Sequence, residues 1–340
     1  MEQKFIPIAL TSIFLAAIIT GGSVVFTNRA VPVTVESRFS GRVAGVSAER
    51  TAPVVEERRD TSSDFRPLRK PDVGTFAVPT AHSAVLLDAA TGIPIFEQDA
   101  DAHRAIASIT KLMTAMITVE TAKDLDEPVT IPEDAVYAEG TRVGCPRSGY
   151  CIGERLHVGE TVSVRNLLKA TLMNSANDAA ISLAEHVSGS QDKFVDTMNK
   201  RSAELGLTNT HFCTPSGLEL DDVAEEEHCY SSARDVAKIA AYALRYDVIW
   251  TTMRMEKTII PSVDGKYEHE IFNTDQLLGY PNLVGTKTGF TPRAGYSLVA
   301  VAGDPANAKH RLIAVVLDDP TRWQSIQNML SWGFGSYVWK

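Results

Sequence analysis

The pattern of apolar and polar positions changes character twice along the chain. After Lys4 a nearly uncharged stretch runs from Phe5 to Phe26, carrying Ile6, Ile8, Leu10, Ile13, Phe14, Leu15, Ile18, Ile19, Val24 and Val25. That is long enough to span a bilayer as a helix, for which about 20 apolar residues are needed. A cleaved export signal is the alternative: Thr20 to Ser23 supplies small residues, but no clear A-x-A site follows the apolar core. Residues 1–26 are therefore expected to be a membrane anchor or a signal segment. From Thr27 to Gly74 no apolar period persists; prolines recur at 32, 53, 67 and 71, and charges of both signs crowd Glu56 to Asp60. This reads as a flexible linker over 27–74, and a coil of about fifty residues would hold a folded part roughly 40 Å from its tether.

From Thr75 onward the pattern is that of a folded domain, 75–340. Ser83 to Asp88 predicts a strand, Ala89 to Gly92 a turn, and Ile93 to Glu97 a second strand. Between Ser108 and Arg245 the apolar residues recur at helical spacing: Ile109, Leu112, Met113 and Met116, then Leu167, Leu168, Thr171 and Leu172. Further helical runs cover Ala179 to Val187 and Ala233 to Leu244. Strands return at Leu283 to Phe290, Tyr296 to Ala302 and Leu312 to Leu317, before a last helix over Trp323 to Trp332. Strands at both ends with helices between them predict an α+β fold: an antiparallel sheet formed from both chain ends, with a helical lobe inserted.

Composition then narrows the function classes. The 340 residues carry a formal net charge of −9 with no compensating basic stripe, which argues against a nucleic-acid partner. No H-E-x-x-H is present for a zinc peptidase, and no G-x-S-x-G for an α/β-hydrolase. No cofactor is implied. Four cysteines allow two bridges. Cys145 and Cys151 bracket a short segment, and Cys213 and Cys229 an acidic one, so two local pairs are expected on an oxidising exterior. Zinc is the alternative, although neither spacing resembles a zinc knuckle.

Three short motifs carry candidate chemistry. In Ser108-Ile-Thr-Lys111 a helix would bring the hydroxyl and the amine onto one face. Serine becomes a nucleophile only when a base takes its proton, and lysine is a base only when burial or a nearby cation keeps it neutral. By chance alone S-x-x-K arises on the order of once in a chain this size. Ser175-Ala-Asn177 lies between two predicted helices, where Ser175 could relay a proton and Asn177 hold a substrate amide. Ser175-x-x-Asp178 also reads as an ordinary helix-capping start. Lys287-Thr-Gly289 falls in a predicted strand, where the glycine would allow close backbone approach by a ligand. Lys287 and Thr288 would suit a carboxylate, with a solvated edge-strand lysine as the plain alternative.

Together the three, in this order on helix, loop and strand, are the signature of penicillin-binding proteins and class A β-lactamases. The surroundings extend the likeness: Ala107-Ser-Ile-Thr-Lys-Leu-Met-Thr-Ala115, Asn174-Ser-Ala-Asn-Asp-Ala-Ala180, Ser231-Ser-Ala-Arg-Asp235 and Lys287-Thr-Gly-Phe-Thr-Pro-Arg-Ala-Gly-Tyr296. From Ala81 to Trp332 the chain resembles the D-alanyl-D-alanine carboxypeptidase family, the low-molecular-mass penicillin-binding proteins. No acidic deacylation motif supports the β-lactamase reading. The resemblance implies a serine DD-peptidase acting on peptidoglycan stem peptides, with Ser108 as nucleophile and Lys111 as its base. It also implies Ser175 and Asn177 in proton transfer and alignment, and Lys287 and Thr288, with Gly289, at the terminal carboxylate. Backbone N–H groups of Ser108 and Phe290 would form the oxyanion hole. β-Lactams would be covalent inhibitors. A DD-endopeptidase of the same family is the nearest rival, and a non-catalytic peptidoglycan-binding protein has no need of a reactive pair. Many family members add a C-terminal β-rich domain and an amphipathic anchor, so in a chain ending at Lys340 the N-terminal segment is expected to be the tether to the cell membrane.

Overall fold

Three apolar runs dictate the centre of the molecule. Ser83–Asp88, Gly295–Gly303 and Arg311–Leu317 are almost wholly buried, as strands covered on both faces must be. The computed structural model describes residues 65–146, 150–219 and 228–340. In chain order the N-terminal elements are β1 (Pro67–Arg69), β2 (Ser83–Asp88), β3 (Pro94–Gln98), a single 3₁₀ turn (Ala107–Thr110) and α1 (Lys111–Thr121). The lobe continues with β4 (Pro128–Thr130), α2 (Glu133–Val136), β5 (Thr161–Ser163), α3 (Val164–Met173), α4 (Asn177–Ser188) and α5 (Gln191–Glu204). Then follow α6 (Ala233–Ala243), α7 (Asp247–Met253), β6 (Lys257–Pro261) and β7 (Glu268–Phe272). The C-terminal part comprises β8 (Leu283–Thr291), β9 (Gly295–Gly303), β10 (Arg311–Leu317), α8 (Arg322–Ser336) and β11 (Tyr337–Trp339).

Five strands pair antiparallel in the order β3-β2-β10-β9-β8, so both chain ends build one sheet. The pleat then divides its side chains between two cores. Val85, Leu87, Val299, Val301, Ile313 and Val315 join the helical lobe, where α1 is buried through nine consecutive residues from Lys111 to Val119. Leu86, Leu298, Ala300, Leu312, Ala314 and Val316 face α8 through Ile326, Met329 and Leu330. This is the α+β arrangement expected, with β8 at the sheet edge beside the lobe.

The expected linker boundary needs correction. Pro67–Arg69, inside the stretch assigned to the linker, pairs antiparallel with Tyr337–Trp339 and belongs to the folded body. Three residues bonded to the far end of the chain leave no local periodicity to read. The expected anchor and most of the linker lie outside the described residues. Among the described residues no helix is long and apolar enough to cross a membrane.

Both local cysteine pairs form bridges, Cys145–Cys151 and Cys213–Cys229. The second closes a loop with a sequence separation of 16, which in the chain-entropy account contributes roughly 3 kcal/mol. Calorimetry of the Cys213→Ser/Cys229→Ser variant should show that loss as a lower unfolding temperature. An unchanged melting profile would mean that the bridge does not constrain the unfolded chain.

Candidate active site

The first motif sits at a break in regular structure. Ala107 adopts φ +46°, a left-handed conformation costly for a residue with a side chain, and this turns the chain into the 3₁₀ turn that carries Ser108. α1 begins at Lys111, one helical turn on, and places its side chain wholly inside the protein. Lys111 Nζ lies 2.8 Å from Ser108 Oγ, 2.7 Å from Asn177 Oδ1 and 2.7 Å from the Ser216 carbonyl oxygen. The last two are pure acceptors. A neutral amine has two N–H groups and one lone pair, so donating to Asn177 and Ser216 leaves the lone pair facing the Ser108 hydroxyl. Burial, and then the charge of nearby Lys287, hold Lys111 well below the usual lysine value. This geometry and charge leave an amine able to take a proton from Ser108.

The second motif is equally constrained. Ser175 also has a left-handed backbone, φ +61°, and links the end of α3 to the start of α4. Its hydroxyl does not cap α4, so the plain capping explanation does not apply. Instead Ser175 Oγ accepts from Lys287 Nζ at 2.9 Å. Asn177 opens α4, takes the Lys111 bond on its oxygen and donates its amide to the Glu139 carbonyl at 2.7 Å. Next to it Asp178 is buried and pushed up to about 7 by that burial, while accepting from the Val143 and Ala179 backbone N–H groups.

The third motif lies on β8, the sheet's edge strand. Lys287 is 1 % exposed, so it is not a solvated edge lysine. Burial, with Arg322 adding to it, pulls Lys287 down to about 7. Thr288 is half-buried, and its hydroxyl lies 3.2 Å from that of Thr274. Gly289 answers a need other than ligand approach. A Cβ there would lie 2.5 Å from the Ile106 carbonyl oxygen, so glycine lets β8 pack against the chain leading into Ser108. Phe290 is exposed and rests on Tyr296 of β9.

All the expected residues, Ser108, Lys111, Ser175, Asn177, Lys287, Thr288, Gly289 and Phe290, therefore converge on one cleft between the lobe and β8. Three contributors escape the motifs. The Ser216 carbonyl is a backbone group, signalled in sequence only by the turn-forming Pro215-Ser-Gly217. Arg322, at the start of α8, donates to the Gly289 and Ser297 carbonyls behind β8. Thr274 comes from the loop after β7, and nothing local marks it. The arrangement can activate a hydroxyl, pass a proton through Ser175 and Lys287, and hold an anion along β8.

Known proteins share this chain's sequence pattern and fold. The profile of the D-alanyl-D-alanine carboxypeptidase family matches residues 74–321. The D-alanyl-D-alanine carboxypeptidase DacF of Bacillus subtilis is 35% identical over 266 residues, covering 76% of this chain and 63% of that protein. A D-alanyl-D-alanine endopeptidase of Pseudomonas aeruginosa is 34% identical over 223 residues, 64% of this chain and 65% of its own length. The crystal structure of penicillin binding protein 5 from Haemophilus influenzae superposes with a TM-score of 0.65 at 33% identity, covering 77% of this chain and 73% of that one. This chain thus spans somewhat under two thirds of those two curated relatives. With the profile matching well over half of its residues, the chain belongs to the D-alanyl-D-alanine carboxypeptidase family.

Proposed function

We propose that this protein is an exported serine DD-carboxypeptidase that removes the terminal D-alanine from peptidoglycan stem peptides. The observation that carries the reading is the buried Lys111, whose two acceptors leave its lone pair on Ser108. Ser108 Oγ attacks the carbonyl between the two D-alanines while its proton passes to Lys111. The oxyanion that forms is held by the backbone N–H groups of Ser108 and Phe290, each such donor being worth about 3–4 kcal/mol of barrier. As the C–N bond breaks, a proton returns to the leaving amine by way of Ser175, which Lys287 holds at 2.9 Å. Water then hydrolyses the acyl-serine, again with Lys111 as base. Lys287 and Thr288 bind the terminal carboxylate, and Asn177 aligns the peptide.

β-Lactams imitate the acyl-D-alanyl-D-alanine end and would acylate the same serine. The likeness to a D-alanyl-D-alanine endopeptidase favours a second reading, in which cross-links between stems are cut by the same site. The apolar stretch Phe5 to Phe26 supports tethering at the outer face of the cell membrane, or export followed by its removal.

Labelled penicillin should attach covalently to the wild type and be lost in Ser108→Ala. Labelling that survives the substitution would overturn the assignment of the nucleophile. Mass spectrometry of pentapeptide and cross-linked muropeptides then separates the two activities: released D-alanine marks the carboxypeptidase, and cut cross-links the endopeptidase.

A further inference from the structure

The pairing of β8 shows where the Phe290 N–H points. Phe290 lies opposite Tyr296 of β9. Tyr296 sends its carbonyl away from β8, to the Asp319 N–H at 2.7 Å beyond the end of β10. The two residues therefore form a pair that exchanges no hydrogen bonds, and the Phe290 N–H points out of the open edge of β8, toward the cleft.

The other end of the same peptide group is held from behind. The peptide that ends in the Phe290 N–H begins with the Gly289 carbonyl, and in a trans peptide the two point in opposite directions. Arg322 Nη1 donates to that carbonyl at 2.8 Å and to the Ser297 carbonyl at 3.1 Å. The guanidinium is half-buried, its central carbon 5.3 Å from the centre of the Tyr296 ring and 5.1 Å from that of Trp323. Both acceptors are carbonyls, so the charge acts on peptide groups rather than on a carboxylate. A cationic donor on an amide oxygen draws electrons from the amide nitrogen and makes its N–H a stronger donor.

Resting on the DD-peptidase reading above, we infer that Arg322 is a positioning residue for the oxyanion hole, fixing and polarising the Gly289–Phe290 peptide from behind β8. The probes are benzylpenicillin, isotopically labelled at its β-lactam carbonyl, and its carboxamide. Once Ser108 is acylated, that carbonyl lies in the oxyanion hole, where stronger donors lower its infrared stretching frequency. Arg322→Gln removes the charge and should raise the frequency toward that of the unfolded acyl-enzyme. Arg322→Lys keeps a cation and should restore part of the shift. An oxyanion donor worth about 10²–10³-fold, strengthened by about 10–30%, gains about two- to eightfold, so Arg322→Gln should slow acylation by that factor. Acid and amide should be slowed alike, because the effect runs through the peptide and not through the ligand's carboxylate. Each rate is taken on the plateau of its pH profile, since Arg322 also lowers Lys287. The frequency is read only from acylated molecules, so a fraction that fails to fold does not imitate the shift. A wild-type frequency in Arg322→Gln, an Arg322→Lys frequency no lower than that of Arg322→Gln, slowing confined to the acid, or acylation lost in both variants would overturn the role and leave the DD-peptidase reading standing. A wild type that forms no acyl-enzyme would overturn both.

Discussion

Lys111→Ala should abolish acyl-enzyme formation with every ligand, whereas Lys287→Ala should discriminate between ligands by their charge. General-base catalysis is typically worth about 10²–10⁴-fold, so loss of the Lys111 amine should cost about that much with peptides and β-lactams alike. Lys287 does a different task. Its ammonium is anchored on Ser175 Oγ and the Thr288 carbonyl; in the proposed reaction it faces the substrate carboxylate, and a charged hydrogen bond of this kind contributes about 1.5–3 kcal/mol. Lys287→Ala should therefore slow an acid ligand by about 10–100-fold and its amide counterpart much less. If both ligands fall in equal proportion, Lys287 is not the carboxylate anchor.

The same pair sets the pH profile. In the proposed mechanism Lys111 works neutral, so acylation should rise as pH increases through its depressed pKa. Lys287 would work protonated; burial pulls it down to about 7, so binding of a free carboxylate should decline as pH increases past that value. An acid ligand should give a bell-shaped kcat/KM, and the amide of the same ligand should lose the alkaline limb. Lys287→Ala also removes a cation that depresses Lys111, so its acidic limb should move to higher pH for either ligand. The acid–amide comparison is therefore best made on the plateau of each profile. An alkaline limb that persists with the amide would assign it to a group other than Lys287.

What the sequence shows and what it hides follow one rule. Side chains with local context were legible. Ser83–Asp88 and Arg311–Leu317 announce buried strands by unbroken apolar runs, and each motif announces itself by residue type and spacing. Backbone groups and long-range partners were not. The Ser216 carbonyl reaches Lys111 across 105 positions, and no side-chain pattern reports where a carbonyl will point. Gly289 was legible as a site of close approach, but the partner turned out to be Ile106 of the same chain. The hairpin of β6 and β7 was hidden because its alternation buries few side chains, Ile260, His269 and Ile271. Ile260 and Ile271 nonetheless enter the lobe's core, and the buried His269–Glu160 pair at 2.7 Å adds a polar tie. Ser175 shows the converse. Its spacing to Asp178 fitted a helix cap, yet the left-handed backbone turns its hydroxyl to Lys287.

The largest effect expected from a residue with no side chain belongs to Gly217. Its φ is +71°, and a Cβ there would stand 2.0 Å from the Ala107 carbonyl oxygen and 2.8 Å from Thr110 Oγ1. Neither neighbour can withdraw easily, because Ala107 and Thr110 frame the turn that carries Ser108. Gly217→Ala must therefore push the Ser216–Leu218 loop away from that turn, and the Ser216 carbonyl that Lys111 donates to moves with it. Overpacking of this kind costs about 1–3 kcal/mol, to which the left-handed backbone adds about 1 kcal/mol. Misplacement of catalytic groups by about 1 Å can cost about 10²-fold in rate. Gly189, the residue that ends α4, supplies the control. It has φ +81° and nothing within 4 Å of its Cβ position, so Gly189→Ala carries the backbone penalty without the collision. Gly189→Ala should lower the melting temperature while labelled penicillin reacts at the wild-type rate. Gly217→Ala should lower both, with acylation slowed by about 10²-fold. Equal acylation by the two variants would mean that the loop yields without moving Lys111, and that the Ser216 carbonyl is not needed to keep its lone pair on Ser108.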